Sequence, residues 1–435
     1  MACFGYPQAD EHQAERAIRA ALNLVETTGR IDTGQPGRLQ LRIGVASGLA
    51  VVGGQPTALG EAASAAAGLA AAAEPGSVLI AASTRRLVGG LFELCPCEPA
   101  EAWQVLAETG VESRFEALRG AALAPLVGRE EELELLLRRW EQAKAGSGRV
   151  VLVSGEPGIG KSRLARALQD AITGQPHVEV RLFCSPHHQD STLHPSIAQL
   201  ERAARFNRDD TEDARLAKLD AVLAQSDATD EAVALIAELL SIPTDQRERI
   251  QQMSPQVRRE RTLAALLAQL SGLAARQPVL VVYEDVHWID PSSRELLDRI
   301  IDQVARLPVL LLASFRPEFQ PPWAGQPNVT SLALGRLDQH DSAALVAGVA
   351  GADALLPEVA REIAKRTDGV PLFIEEVTRA VLEAGAQAGA LSSIPWAALS
   401  VPATLHASLL ARLDRLGPVA KEVAQKGAAI GREFG

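Results

Sequence analysis

Eight residues, Gly155-Glu156-Pro157-Gly158-Ile159-Gly160-Lys161-Ser162, restrict this chain more than any other stretch. They fit the pattern G-x-x-x-x-G-K-[ST]. They stand between the apolar run Val150-Val151-Leu152-Val153, of strand length, and a helical pattern over Ser162 to Ala171. A strand, a glycine-containing loop and a helix in that order let successive backbone N–H groups surround phosphate oxygens while the helix aims its positive end at them. Lys161 is placed to neutralise the β- and γ-phosphates and Ser162 to ligate magnesium. The candidate nucleotide-binding set is Gly155, Gly158, Ile159, Gly160, Lys161, Ser162 and Arg163. An ordinary glycine-rich turn would need neither the strand before it nor the helix after it.

Two further continuous apolar runs, Val279-Leu280-Val281-Val282 and Val309-Leu310-Leu311-Leu312, suit strands of a parallel sheet covered on both faces. The fold class expected is therefore α/β. The first run leads through Tyr283 into Glu284 and Asp285, two carboxylates at the C-terminal end of a buried strand, where ligand sites of open α/β sheets lie. One acid can hold magnesium and the other can polarise an attacking water, and the sequence leaves open which does which. Arg316 follows the second run, where an arginine can sense a γ-phosphate or simply be solvated. Lys161, Glu284, Asp285 and Arg316 are the catalytic candidates. Ser162, Glu284 and Asp285 are the metal candidates, and ATP or ADP with Mg2+ is the expected cofactor pair.

Around this unit the patterning changes. Ala14, Ala17, Ile18, Ala21, Leu22 and Val25 make one apolar helix stripe, Leu39 to Ala46 alternates like a strand, and the alanine-rich stretch Ala62 to Ala73 favours a helix with little side-chain mass to pack. Glu74-Pro75-Gly76 is a turn, followed by a short strand over Val78 to Ala81 and a helical turn over Ser83 to Val88. Helical patterns fill Ile197 to Ala275 and return beyond Leu337. Four segments are expected: a small α/β region over 1–115, a phosphate-loop domain over 116–335, a helical region over 336–395 and a further segment over 396–435.

Composition narrows the function classes. With 43 Lys plus Arg against 54 Asp plus Glu, the net charge of −11 weighs against a broad grip on nucleic-acid phosphates. The longest strongly apolar stretch, Leu307 to Phe315, is about half the length of a membrane-spanning helix. Met1 to Pro7 shows neither a basic n-region nor an apolar h-region, and the four cysteines are too few and too poorly spaced for a disulfide framework. Cytoplasmic residence is the expectation.

These motifs together resemble the STAND branch of AAA+-like P-loop ATPases, specifically the ATPase module found behind class III nucleotidyl cyclase domains in bacterial regulators. Leu126-Val127-Gly128-Arg129-Glu130 resembles that family's opening motif, which implies adenine contacts from Val127, Gly128 and Arg129. Glu284-Asp285-Val286-His287-Trp288-Ile289-Asp290 resembles its acidic strand end. Gly369-Val370-Pro371-Leu372-Phe373 resembles its G-x-P lid motif, which implies that Pro371 packs on the base. The resemblance implies a P-loop NTPase parallel sheet with a helical insertion, a helical lid and the start of a winged-helix-like segment over 396–435.

Residues 1–115 resemble the second half of a class III adenylate or guanylate cyclase domain, through Phe4-Gly5-Tyr6-Pro7, Arg42 to Gly48 and Ala73-Glu74-Pro75-Gly76. That implies a truncated ferredoxin-like remnant. The family's metal-binding aspartates lie upstream of the Phe-Gly-Tyr-Pro equivalent, and its G-x-x-x-N-x-x-x-R helix aligns with Gly60, Ser64 and Gly68, so both functional side chains are replaced. Without the metals and the arginine, a developing phosphate charge has no partner, and the cyclase-like half reads as degenerate. The resemblance thus implies an ATP-binding signalling ATPase that switches between ADP and ATP states with slow hydrolysis. The alternatives are a cyclase completed by a partner chain, or an inert fragment of a longer regulator. Expected partners are adenine nucleotide and either a second copy of the chain or a missing cyclase or sensor chain, with no nucleic acid and no membrane.

Other strings invite specific chemistry and have plainer explanations. Cys184, His187, His188 and His194 carry metal-capable atoms, but similar strings recur in this ATPase family as a loop after the second sheet strand. Ala217-Lys218-Leu219-Asp220 lacks the asparagine of a guanine-specifying N-K-x-D and sits in a helical pattern. Arg258, Arg259 and Arg261, interleaved with Glu260, read as a solvated helix face rather than a nucleic-acid patch. His287 and Trp288 fit either a ligand contact or packing beside the acidic strand end.

Overall fold

The computed structural model describes residues 1–5, 12–31, 39–48, 51–52, 58–97, 101–109, 125–207, 209–351, 355–388 and 413. They form two compact units, residues 126–341 and residues 1–125 with 342–435. Tyr6 and Pro7 of the Phe-Gly-Tyr-Pro match, and the expected winged-helix-like segment apart from Leu413, lie outside the described residues.

In the second of these units, the helix Gln13–Gly29 turns Ala14, Ile18 and Ala21 inward. They share a core with Val78, Ile80, Phe92 and Val105. Its strands are β1 (Arg42–Val45), β2 (Val51–Val52), β3 (Ala58–Leu59), β4 (Ser77–Ala81), β5 (Phe92–Cys97) and β6 (Ala102–Glu108). β2 and β3 form a separate two-stranded pair. The other four make a mixed sheet in the order β1-β4-β6-β5, with β1 parallel to β4 and the remaining pairs antiparallel. No strand was expected over β5 or β6; Pro96 within β5 is tolerated because β5 lies at the sheet edge. The alanine-rich helix Glu61–Ala72 buries no residue completely, and Ser64 and Gly68 are exposed on it four residues apart. Two further helices, Pro357–Arg366 and Pro371–Ala388, each begin on a proline, where the missing N–H costs nothing.

The unit 126–341 is built on β7 (Arg149–Ser154), β8 (Val178–Phe183), β9 (Val279–Glu284), β10 (Val309–Phe315) and β11 (Val329–Ala333). They form one wholly parallel five-stranded sheet in the order β11-β7-β10-β9-β8. The continuous apolar runs follow from burial on both faces. Val151, Val153, Leu280, Val282, Leu310 and Leu312 pack with Trp140 and Leu164 on one side. Val150, Leu152, Val281, Tyr283, Leu311 and Ala313 pack on the other with the helices inserted between β8 and β9. Those helices, including Glu212–Leu223, Asp230–Leu239 and Pro255–Arg276, start at Thr211, Thr229 and Ser254, whose hydroxyls accept backbone N–H bonds as caps. Among the described residues no helix is long and apolar enough to cross a membrane.

Candidate functional site

Register brings the C-terminal ends of three neighbouring strands level. Ser154 at the end of β7 lies opposite Phe315 on β10 and Ala333 on β11, and the chain then leaves β7 with Gly155 N donating to Phe315 O at 3.3 Å. The predicted phosphate loop therefore opens at the edge where β10 and β11 also end. Gly158 and Gly160 take φ of +77° and +106°, backbone that a side chain strains, and this allows the loop to turn tightly into the helix Lys161–Ile172. Leu164 N donates to Gly160 O at 2.9 Å, so the turn before it carries the N–H groups that a helix N-terminus offers to an anion. Ile159 is buried beneath the loop and joins the core shared by Val153 and Leu334.

Lys161 folds back over the loop, its Nζ donating to Gly155 O at 2.8 Å and to Glu156 O at 3.1 Å. Ser162 Oγ donates to Glu284 Oε2 at 2.6 Å across 122 residues of sequence. Phosphate loop and acidic strand end thus meet directly. Glu284 is buried, and Arg181 on β8 reaches its other oxygen at 3.4 Å. Burial pushes the Glu284 carboxyl above its usual range; the Ser162 bond opposes this, nearby Asp285 adds to it and Arg181 opposes it. A hydroxyl and a carboxylate oxygen this close are hard oxygen donors of the kind magnesium takes, and a cation there would relieve the charge that burial disfavours.

Asp285 differs from its neighbour. It is half-buried, in the left-handed region at φ +57°, with its N–H donating to Ser314 Oγ at 3.2 Å. Such backbone in a non-glycine residue concentrates at functional sites. Arg316 directly follows β10, and its guanidinium carbon lies 4.8 Å from the Trp288 ring centroid. Of the other predicted contacts, Val127 is half-buried. Gly128 has φ +62°, and Arg129 is buried, donating to Gly335 O and at 3.2 Å to Glu132. Arg129 therefore braces the start of the helix Glu130–Lys144. Arg163 is half-buried in the first turn of its helix, and Pro371 starts a helix of the other unit.

Several partners were not identified from sequence. Arg181 carried only the signal of a cation alternating within an apolar strand, and Arg336 pairs with loop residue Glu156 at 3.3 Å. Asp290 is buried and its Oδ1 accepts from Ser292, Ser293 and Leu193 N–H groups at 3.0, 3.0 and 3.2 Å, fastening the helix Pro291–Val304 to the loop after β8. His188 in that loop and His194 at the start of the helix His194–Ala203 stack at 3.5 Å between centroids. Burial, reinforced by Asp285 and Asp290, pushes the Cys184 thiol well up and keeps it a neutral, poor ligand. Among the described residues, Cys184 and these histidines do not converge as a metal-ligand group. Arg259 and Arg261 are ion-paired with Glu295 and Glu231.

The AAA ATPase domain family matches residues 125–312, an interval that takes in the phosphate loop and the acidic strand end. Over this interval, less than half of the chain, it is similar to an AAA ATPase domain. Over 442 aligned residues it is 33% identical to an uncharacterized protein of Rhizobium meliloti (strain 1021), covering 97% of this chain and 42% of that relative. The chain thus spans less than half the length of the curated relative it matches. Among solved structures it shows a distant likeness to the Thermotoga maritima RuvB Holliday junction branch migration motor, at 15% identity and a TM-score of 0.34, over 65% of this chain and 70% of that one. A similar likeness links it to Drosophila ORC bound to DNA, at 11% identity and a TM-score of 0.38, over 74% and 71% of the two chains.

Proposed function

We propose that the chain is a STAND-type nucleotide switch that binds ATP and ADP with magnesium and hydrolyses ATP slowly, so that hydrolysis times a signal. The observation that carries this reading is the 2.6 Å bond from Ser162 Oγ to the buried Glu284 carboxylate, which joins the phosphate loop to the acidic strand end. In this reading Lys161 neutralises the β- and γ-phosphates, and Ser162 and Glu284 hold magnesium. Asp285, the more exposed acid, orients water for attack on the γ-phosphorus. Arg316 senses the γ-phosphate from the end of β10. Val127, Gly128 and Arg129 as adenine contacts, and Pro371 as the residue of a lid motif, belong to the same proposal and rest on the resemblance of their motifs.

The N-terminal region acts in this account as an inactive cyclase-like domain. Its support is the exposed face of the helix Glu61–Ala72, where Ser64 and Gly68 stand at the positions of the family's asparagine and arginine. Partners of the whole regulator, including a second copy or a sensor chain, belong to the same proposal. Phosphate release from ATP with magnesium tests the assignment. Glu284→Gln and Asp285→Asn are each expected to abolish turnover, and turnover that survives replacement of both acids removes the acidic strand end from the mechanism.

A further inference from the structure

Arg316 is held on an aromatic platform. Its guanidinium carbon lies 4.8 Å from the Trp288 ring centroid, within the range in which a cation is attracted to the ring face. The indole is itself fixed. It packs against the core on the inserted-helix side of the sheet, and the His287 ring stands 4.1 Å from it at a 40° tilt. His287 Nδ1 in turn lies 3.8 Å from the Asp285 carboxylate. Asp285, His287, Trp288 and Arg316 therefore form one continuous row that joins the end of β9 to the end of β10.

We infer that Trp288 is a positioning residue that sets the chain's preference for ATP over ADP by holding Arg316 in its γ-phosphate-sensing place. The inference rests on the proposed role of Arg316. An arginine side chain loses several rotatable bonds' worth of freedom when it grips a phosphate, and this ordering reduces the affinity gained. Stacking on a rigid indole orders the side chain beforehand. In general a guanidinium over a ring face can still donate hydrogen bonds in its own plane, the direction from which a phosphate oxygen accepts them. ADP has no γ-phosphate, so the platform acts on ATP alone. A packing role for Trp288 would instead move both nucleotides together.

The test is calorimetric titration of the full chain with Mg-ADP and with a non-hydrolysable ATP analogue. Trp288→Leu is expected to weaken the analogue about 3- to 30-fold, the equivalent of one cation–π contact, with ADP changed by less than about two-fold. Trp288→Phe keeps a ring face and restores most of the preference. Arg316→Lys keeps the charge without the planar stack and behaves like Trp288→Leu. Equal losses for both nucleotides in Trp288→Leu, or no loss, overturn the inference, as does a Phe variant no better than Leu. If Trp288→Leu does not fold, Arg316→Lys decides, because full ATP preference there rules out planar stacking as the device. Arg316→Ala separates the two levels: a loss confined to the ATP analogue keeps the sensing role even when the platform is disproved. An unchanged affinity for the analogue in that variant, or an equal fold-loss for both nucleotides, removes the sensing role and the inference with it.

Discussion

Replacing Glu284 with glutamine is expected to stabilise the nucleotide-free protein while abolishing hydrolysis. The carboxylate is buried, and taking an ion out of water costs several kcal/mol after relaxation. Two contacts offset part of this. A charge-assisted bond such as that from Ser162 contributes about 1.5–3 kcal/mol, and an ion pair at 3.4 Å with a partly exposed partner such as Arg181 contributes at most about 1 kcal/mol. The upward displacement of the Glu284 pKa, caused first by burial, means that the balance still disfavours the charge. The glutamine side chain would keep an oxygen for Ser162 and remove the charge, so Tm should rise, each ~1 kcal/mol of gain being worth roughly 2–4 °C for a domain of this size.

The pH dependence carries the sign. A group whose folded pKa is raised binds more protons folded than unfolded, so its favourable contribution is complete below the unfolded value and is lost as pH rises through the folded one. The advantage of Glu284→Gln over wild type should therefore be largest at pH 7–8 and vanish as pH falls below the ordinary carboxylate value of 4.5. Scanning calorimetry of both proteins across this range, without nucleotide, reads the effect. A glutamine variant less stable than wild type at pH 8, or a Tm difference independent of pH, refutes the reasoning.

Three further outcomes are expected. Asp290→Ala removes one carboxylate oxygen that accepts three backbone N–H groups, and should cost roughly 2–3 kcal/mol in chemical denaturation, with Asn losing less because it keeps that oxygen. Gly148→Ala drives a methyl group into the Val304 carbonyl and to 2.5 Å from Leu307 O, and should cost about 2–3 kcal/mol by the same measurement. Incubation with ATP or GTP and manganese, read by mass spectrometry, should yield no cyclic nucleotide; product that scales with protein and persists in Lys161→Ala would falsify the inactive cyclase-like assignment.

What could be read from the sequence was what local chemistry dictates. The loop Gly155 to Ser162 and strands β7, β9 and β10 were legible because central parallel strands are apolar throughout and the loop pattern is short and contiguous. β11 was not, since Val329-Thr330-Ser331-Leu332-Ala333 forms a half-buried edge with a mixed pattern. The split between the two acids was also hidden. It depends on which of them Ser162 and Arg181 reach, across 122 and 103 residues. Arg129 has a structural part that its motif did not reveal: its guanidinium donates to Gly335 O and Glu132, partners that only the fold brings to it.

Titration of Mg-ADP and Mg-ATP into the wild-type chain and into Lys161→Ala decides most directly whether residues 155–162 hold a nucleotide's phosphates. Wild type should bind both. Loss of the Lys161 ammonium should weaken each by about 10- to 100-fold, the worth of a charged hydrogen bond to phosphate. Equal affinity in the two proteins, or no binding by wild type, contradicts the account.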